Sequence, residues 1–271
     1  MINKKLLLSI LTGLTLYTAN ANAELFFSQD GNGNGLFEIN VTTGVATLVG
    51  TGISGVTSNT VGLAPSSNPA VLFGSTWTNL TAIQTDGSAA PVIAPSGNEG
   101  LAYCSGNNTL YGNLNSNFYT INQATGVKTN LASPPGGFDP EGIACDSANN
   151  IIYGIGLGNN DLHVYNIVGN SWSTVGGTGI IWTFAGLAWD PTNSILYAIT
   201  SNTNSLYSIN TTTGAATLIG PLGTNASGGL AFVGATAPVS PQDIPTLSFW
   251  GLLIAIFGLG LIGRRRVRKY I

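Results

Sequence analysis

The chain has 271 residues, 44% of them hydrophobic and only 7% charged, with a formal net charge of −3. Disorder needs low hydrophobicity and high net charge, so the low charged fraction points instead to a packed body. Lys4 and Lys5 lie at the front and Arg264, Arg265, Arg266, Arg268 and Lys269 at the back, leaving Lys128 as the one base among all 11 acids between Glu24 and Asp243; such a body lacks the cations that a nucleic-acid or phosphate surface requires.

Taken from the N-terminus, Lys4 and Lys5 precede an apolar run, Leu6 to Leu16, and a polar stretch ending Ala21-Asn22-Ala23. A basic start, a short apolar stretch and a small-x-small site describe a secretory signal peptide over residues 1–23. The run is too short for a membrane anchor, which needs about 20 apolar residues. Cleavage is expected after Ala23.

Residues 24–234 repeat. A Gly-Leu/Ile-Ala tripeptide recurs at Gly62, Gly100, Gly142, Gly186 and Gly229, a period of about 42 residues. Each unit continues with a strand ending in an aromatic (Phe73, Tyr111, Tyr153, Tyr197), then an alternating run ending in Asn or Gln (Gln84, Asn122, Asn166, Asn210). A turn and a last strand close the unit, giving four short strands per repeat. That is the pattern of a propeller blade. The N-terminal segments Leu25 to Phe27, Leu36 to Asn40 and Ala46 to Val49 match second, third and fourth strands, and Gly229 to Phe232 matches a first strand. The two ends therefore complete one blade, which hides the sheet edges. The expected fold is all-β, a five-bladed β-propeller closed by N- and C-terminal strands. Seven blades at 40–45 residues each would need roughly 280–315 residues.

Within the body, Asp30-Gly31-Asn32-Gly33-Asn34-Gly35 has the oxygens of half a calcium loop, but Val41 stands where the bidentate Glu is required. A Gly/Asn hairpin is the better reading. Asp146 and Asp190 precede Ser147 and Pro191 and read as Asx-type turns. His163, the one histidine, occupies the slot held by Phe37, Thr81, Tyr119 and Tyr207 and is expected to pack as a ring between blades. No Gly-x-Ser-x-Gly elbow or His-Glu-x-x-His pair is present. Cys104 and Cys145 fall in first strands of neighbouring blades, displaced by one residue in register. One residue flips the face of a strand, so they either face each other as a disulfide or face apart.

Propeller geometry places the fourth-to-first and second-to-third loops on one face. This gathers Asp30, Glu99, Asp139, Glu141 and Asp161 there, with Trp77, Phe138 and Trp182 nearby. Glu99 and Glu141 each stand one residue before the axial Gly of adjacent blades, while Lys128 falls in a fourth strand, away from the axis. Glu99, Asp139, Glu141 and Asp161 are the candidate cation or ligand site, set against a merely solvated rim. No cofactor is required; calcium is the candidate ion, since oxygen-only ligands suit a hard cation.

After a linker, residues 235–243, comes a tail over residues 244–271. Leu247 to Gly263 is apolar but for Ser248 and stops at the Arg/Lys cluster of residues 264–271. As a helix it reaches about 26 Å, enough to span with snorkelling flanks, and the basic cluster should stay cytoplasmic. Just ahead stands Ile244-Pro245-Thr246-Leu247-Ser248-Phe249-Trp250-Gly251. This segment resembles the IPTL-CTERM protein-sorting domain: a Pro-Thr-Leu-Ser-x-Trp-Gly signature, a hydrophobic helix and an Arg-rich end. Phe249 stands where such tails usually carry Glu. The resemblance implies a Gram-negative surface or extracellular-matrix protein whose tail is read by a membrane sorting enzyme.

The whole reads as an exported, surface-sorted or membrane-tethered propeller acting as a non-enzymatic binding or matrix module. Its expected partners are the membrane through the C-terminal helix, the sorting enzyme, and an extracellular polysaccharide or surface protein. The alternative is a metal-dependent hydrolase or lactonase on the same wheel, with Glu99 and Glu141 as axial ligands.

Overall fold

In the computed structural model, the described residues are 23–28, 35–51 and 60–234. Residues 1–22 of the expected signal peptide, residues 29–34 and 52–59, the expected linker and the expected sorting tail lie outside them. Among the described residues no helix is long and apolar enough to cross a membrane.

The strands run β1 (Glu24–Ser28), β2 (Leu36–Ile39) and β3 (Ala46–Gly50) in blade 1, then β4 (Thr60–Pro65), β5 (Val71–Thr76), β6 (Leu80–Gln84) and β7 (Val92–Ala94) in blade 2. Blade 3 holds β8 (Gly100–Cys104), β9 (Thr109–Leu114), β10 (Asn117–Ile121) and β11 (Lys128–Asn130); blade 4 holds β12 (Asp139–Asp146), β13 (Ile151–Leu157), β14 (Asp161–Asn166) and β15 (Ser171–Gly177). Blade 5 holds β16 (Gly186–Asp190), β17 (Ile195–Thr200), β18 (Ser205–Ile209) and β19 (Ala216–Pro221), after which β20 (Leu230–Val233) returns to the start. Each blade is one antiparallel four-stranded sheet, and β20 pairs with β1 in the order β20-β1-β2-β3. Glu24 lies opposite Val233 and Phe27 opposite Leu230. The wheel has five blades and closes through both ends of its chain.

The sequence of each strand follows its depth. Innermost strands such as β8, Gly100 to Cys104, are buried at every residue, so they read as a continuous apolar run and not as an alternation. Outermost strands such as β19 are mostly half-exposed or exposed. Five apolar clusters fill the five blade-to-blade interfaces. Phe26 and Leu36 meet Leu63 and Leu72 between blades 1 and 2, and Phe73 meets Tyr103 between blades 2 and 3. Cys104 and Phe118 meet Ile143 and Tyr165 between blades 3 and 4, Tyr153 meets Trp182 and Leu187 between 4 and 5, and Tyr197 meets Phe232 between 5 and 1.

The axial glycines let the inner strands converge. A Cβ on Gly62 would stand 2.9 Å from the Glu99 carbonyl oxygen, and one on Gly100 would stand 2.8 Å from that of Glu141. Real Cβ atoms essentially never approach that closely, so each glycine permits the next blade to dock. The turns after the third strands repeat one device. Asn40, Asn122 and Asn210 accept backbone N–H bonds from the residues two and three ahead. Asp146 and Asp190 do the same after their first strands, as Asx turns.

Cys104 and Cys145 are bonded, with Cα atoms 5.4 Å apart, joining β8 to β12 across neighbouring blades. The one-residue displacement brings the two sulfurs together.

Candidate functional site

Along the axis the first strands present rings, one residue from each blade. The central ring is Leu63, Leu101, Ile143, Leu187 and Leu230, all buried. Together with Ala102, Ala144, Ala188 and Ala231 it lines an axial cavity between two mouths. One mouth is lined by Pro65, Tyr103, Cys145, Trp189 and Phe232. The other carries the residue just before each axial glycine: Val61, Glu99, Glu141, Ala185 and Gly228, with Trp77 and Phe184 beside them. This second mouth is a small cleft, partly open to solvent.

Local backbone geometry aims these residues. β12 pairs Pro140 with Gly156 and then Gly142 with Ile155, so Glu141 is the extra residue of a β-bulge. Val61 sits in the matching irregularity of β4. Bulges re-aim a side chain and are common beside functional sites. The Glu141 carboxylate turns to blade 5, where the Ala185 N–H donates to its Oε2 at 3.1 Å and the Phe184 N–H assists. Phe184 holds φ +46°, a conformation that is an outlier for a bulky side chain. It presents consecutive N–H groups to the acid and leaves its own ring half exposed at the rim.

Burial pushes the Glu141 carboxyl up to about 7, the charges of Glu99 and Asp139 add to this, and the two N–H bonds oppose it. Glu99 is raised by burial and by Asp139, against an N–H bond from Asn115 to its Oε2 at 2.7 Å. Asp139 is raised by burial, and its Oδ1 is buried without a hydrogen-bond partner. The three carboxylates feel one another, and the one described base, Lys128, is engaged elsewhere. Lys128 lies in a fourth strand, as expected, but its ammonium reaches inward. It donates to the Gly97 carbonyl at 2.6 Å and the Tyr119 hydroxyl at 2.8 Å, and sits 4.3 Å from the Tyr119 ring centroid.

The expected cluster is therefore Glu99, Asp139 and Glu141 with Trp77. Asp161 opens β14 opposite Gly177, and its charge acts on His163 instead. Asp30 lies outside the described residues. Phe138 and Trp182 are core residues and not part of the mouth: both are buried, Phe138 stacks on His163 at 4.0 Å, and Trp182 donates its indole N–H to Thr178 at 2.9 Å. His163 packs as a ring, with its nitrogens engaged by Asn159 and Thr174, and burial lowers its pKa. Phe184 was not foreseen, because its left-handed conformation depends on the neighbouring blade and leaves no mark in the local sequence.

Chemically, the mouth offers negative charge, two aromatic faces and a carboxyl poised to titrate near neutrality. Among the described residues no group of three His, Cys, Asp or Glu side chains could hold a metal ion.

Fold and site together define a five-bladed β-propeller with an acidic, aromatic-edged axial mouth. No family model matches the chain, and no curated protein matches it. Among solved structures it is similar to a chain of the "Crystal structure of Nidogen/Laminin Complex", with 12% identity, a TM-score of 0.55, and coverage of 80% of this chain and all of that one. At that identity the likeness concerns the fold alone.

Proposed function

We propose that this chain is an exported, surface-sorted or membrane-tethered propeller that acts as a non-enzymatic binding or extracellular-matrix module through its acidic axial mouth. The observation that carries the reading is that mouth: Glu99 and Glu141 meet exposed Trp77 and Phe184 in one cleft. Export is supported by the Cys104–Cys145 bond, since disulfides persist in oxidising compartments. The signal-like start and the sorting-like tail support it as well. A metal-dependent hydrolase or lactonase with Glu99 and Glu141 as axial ligands is the alternative; it would bind a divalent metal and lose activity with a chelator.

Fractionation of cells expressing the full chain, with surface proteolysis and intact mass, tests this reading. A mature species beginning at Glu24 and accessible from outside is expected. A full-length cytoplasmic species beginning at Met1 would overturn it.

A further inference from the structure

We propose that the axial mouth recognises an alkylammonium group, a cationic nitrogen on an apolar stem, held between the Trp77 and Phe184 rings over the Glu141 and Glu99 carboxylates. This deepens the binding-module reading and rests on it.

The aromatics carry the argument first. Trp77 is 42% exposed and Phe184 49% exposed, and they reach the cleft from different blades, through the β5–β6 hairpin and the β15–β16 connection. Large rings left in water around a concave site mark an interaction surface more often than a structural need. The negative faces of such rings attract cations, and the attraction grows when the cation is desolvated. The charge then selects sign. Glu141 and Glu99 face the cleft from adjacent blades, Asp139 adds to their field, and Lys128 is already taken by Gly97 and Tyr119. An anion is repelled, and a neutral sugar would leave the charges uncompensated.

The remaining wall chooses between kinds of cation. Val61, Ala185 and Gly228 complete the ring with hydrocarbon and backbone, whereas Ca²⁺ needs six to eight oxygens. An alkylammonium gives up its water more readily, fills the apolar wall with its stem and needs only one or two carboxylates. The cleft is small and partly open to solvent, so it can take a head group whose stem lies along the rim, not an extended polymer. The molecule already uses this chemistry once, where the Lys128 ammonium lies over the Tyr119 ring.

Protonation of Glu141 should compete with the ligand. The titratable groups facing it are Glu99 and Asp139; blade 5 contributes only the Phe184 and Ala185 N–H groups. With its carboxyl near 7, binding should weaken about tenfold between pH 8 and pH 6.

The test titrates the mature propeller, residues 24–243 produced with its disulfide intact, with n-butylammonium and with tetramethylammonium, followed by calorimetry and ligand-observed NMR. tert-Butanol and Ca²⁺ serve as controls. Saturable binding of either ammonium is expected, the tighter one showing whether hydrogen bonds or ring faces dominate. Glu141→Gln should weaken binding about tenfold and flatten its pH dependence, and Trp77→Leu about twofold to fivefold. Phe184→Asn should lower affinity by a similar factor while the protein melts no lower, because Asn tolerates the left-handed conformation. No saturable ammonium binding by a cooperatively folded wild type overturns the proposal. So does equal binding by Glu141→Gln, or saturable Ca²⁺ binding alone. If the chain is at the cell surface but binds no ammonium, the ligand assignment fails and the binding-module reading stands.

Discussion

Glu141 is a source of instability at neutral pH, and its replacement by Gln should show by how much. Its carboxyl stands at about 7 in the folded chain against 4.5 for the free group. Each unit of difference is worth about 1.36 kcal/mol, so the full figure is about 3 kcal/mol, or about 2–3 kcal/mol after allowing for partial contact with water. The folded state holds this proton more tightly than the unfolded chain does. Stability from this group is therefore fully present below about pH 4.5 and is lost as pH rises through 7. Glu141→Gln keeps an oxygen to accept the Ala185 and Phe184 N–H bonds and removes the buried charge. At pH 8 the variant should be more stable by about 2–3 kcal/mol, a melting temperature higher by roughly 5–10 °C for a domain of this size. Below pH 4.5 the two proteins should converge. Urea unfolding of both proteins at pH 4, 6 and 8 checks this. Parallel curves, or a variant less stable at pH 8, would refute the claim that burial and like charge govern this acid.

Other predictions follow from the architecture. Replacing both Cys104 and Cys145 by Ala frees a loop closed over a separation of 41 residues and should cost about 4 kcal/mol by chain entropy, read by unfolding with and without reductant. Removing residues 229–234 takes away β20 and leaves β1 with an open edge; cooperative melting should disappear, and an unchanged melt would contradict blade sharing. Phe184→Gly should stabilise the body by about 1 kcal/mol by relieving the left-handed backbone, measured by chemical denaturation. Replacing Pro245, Thr246 and Trp250 together should trap the chain before the surface if a sorting enzyme reads them, and unchanged surface display would leave a plain anchor.

The wheel was legible because its constraints are local and repeated. Gly62, Gly100, Gly142 and Gly186 must each admit the carbonyl of the next blade, so the tripeptide recurs on schedule, and Asn40, Asn122 and Asn210 must each close the same turn. Glu99 and Glu141 were legible for the same reason, since their slot is fixed by the glycine that follows. The rest of the site depends on relations between blades. Trp182 and Phe184 are two residues apart in one connection, yet the first is buried and the second lies at the rim; only the Thr178 hydroxyl and the Glu141 carboxylate separate their fates. Asp161 shares a face with the acids by topology, but it begins β14, the third strand of its blade, and acts on His163. The cysteine pairing turned on how neighbouring blades are offset, which repeat alignment leaves open by one residue.

The most direct test of the account is rebinding to the surface that the protein is proposed to serve. Purified mature propeller, wild type and a Trp77→Leu/Glu99→Gln/Glu141→Gln variant of equal cooperativity, would be added to intact cells lacking the gene, and the retained amount measured against concentration. Saturable retention of the wild type and loss of most of it in the variant are expected. Equal retention of the two, or none by either, would contradict a binding module that works through its axial mouth.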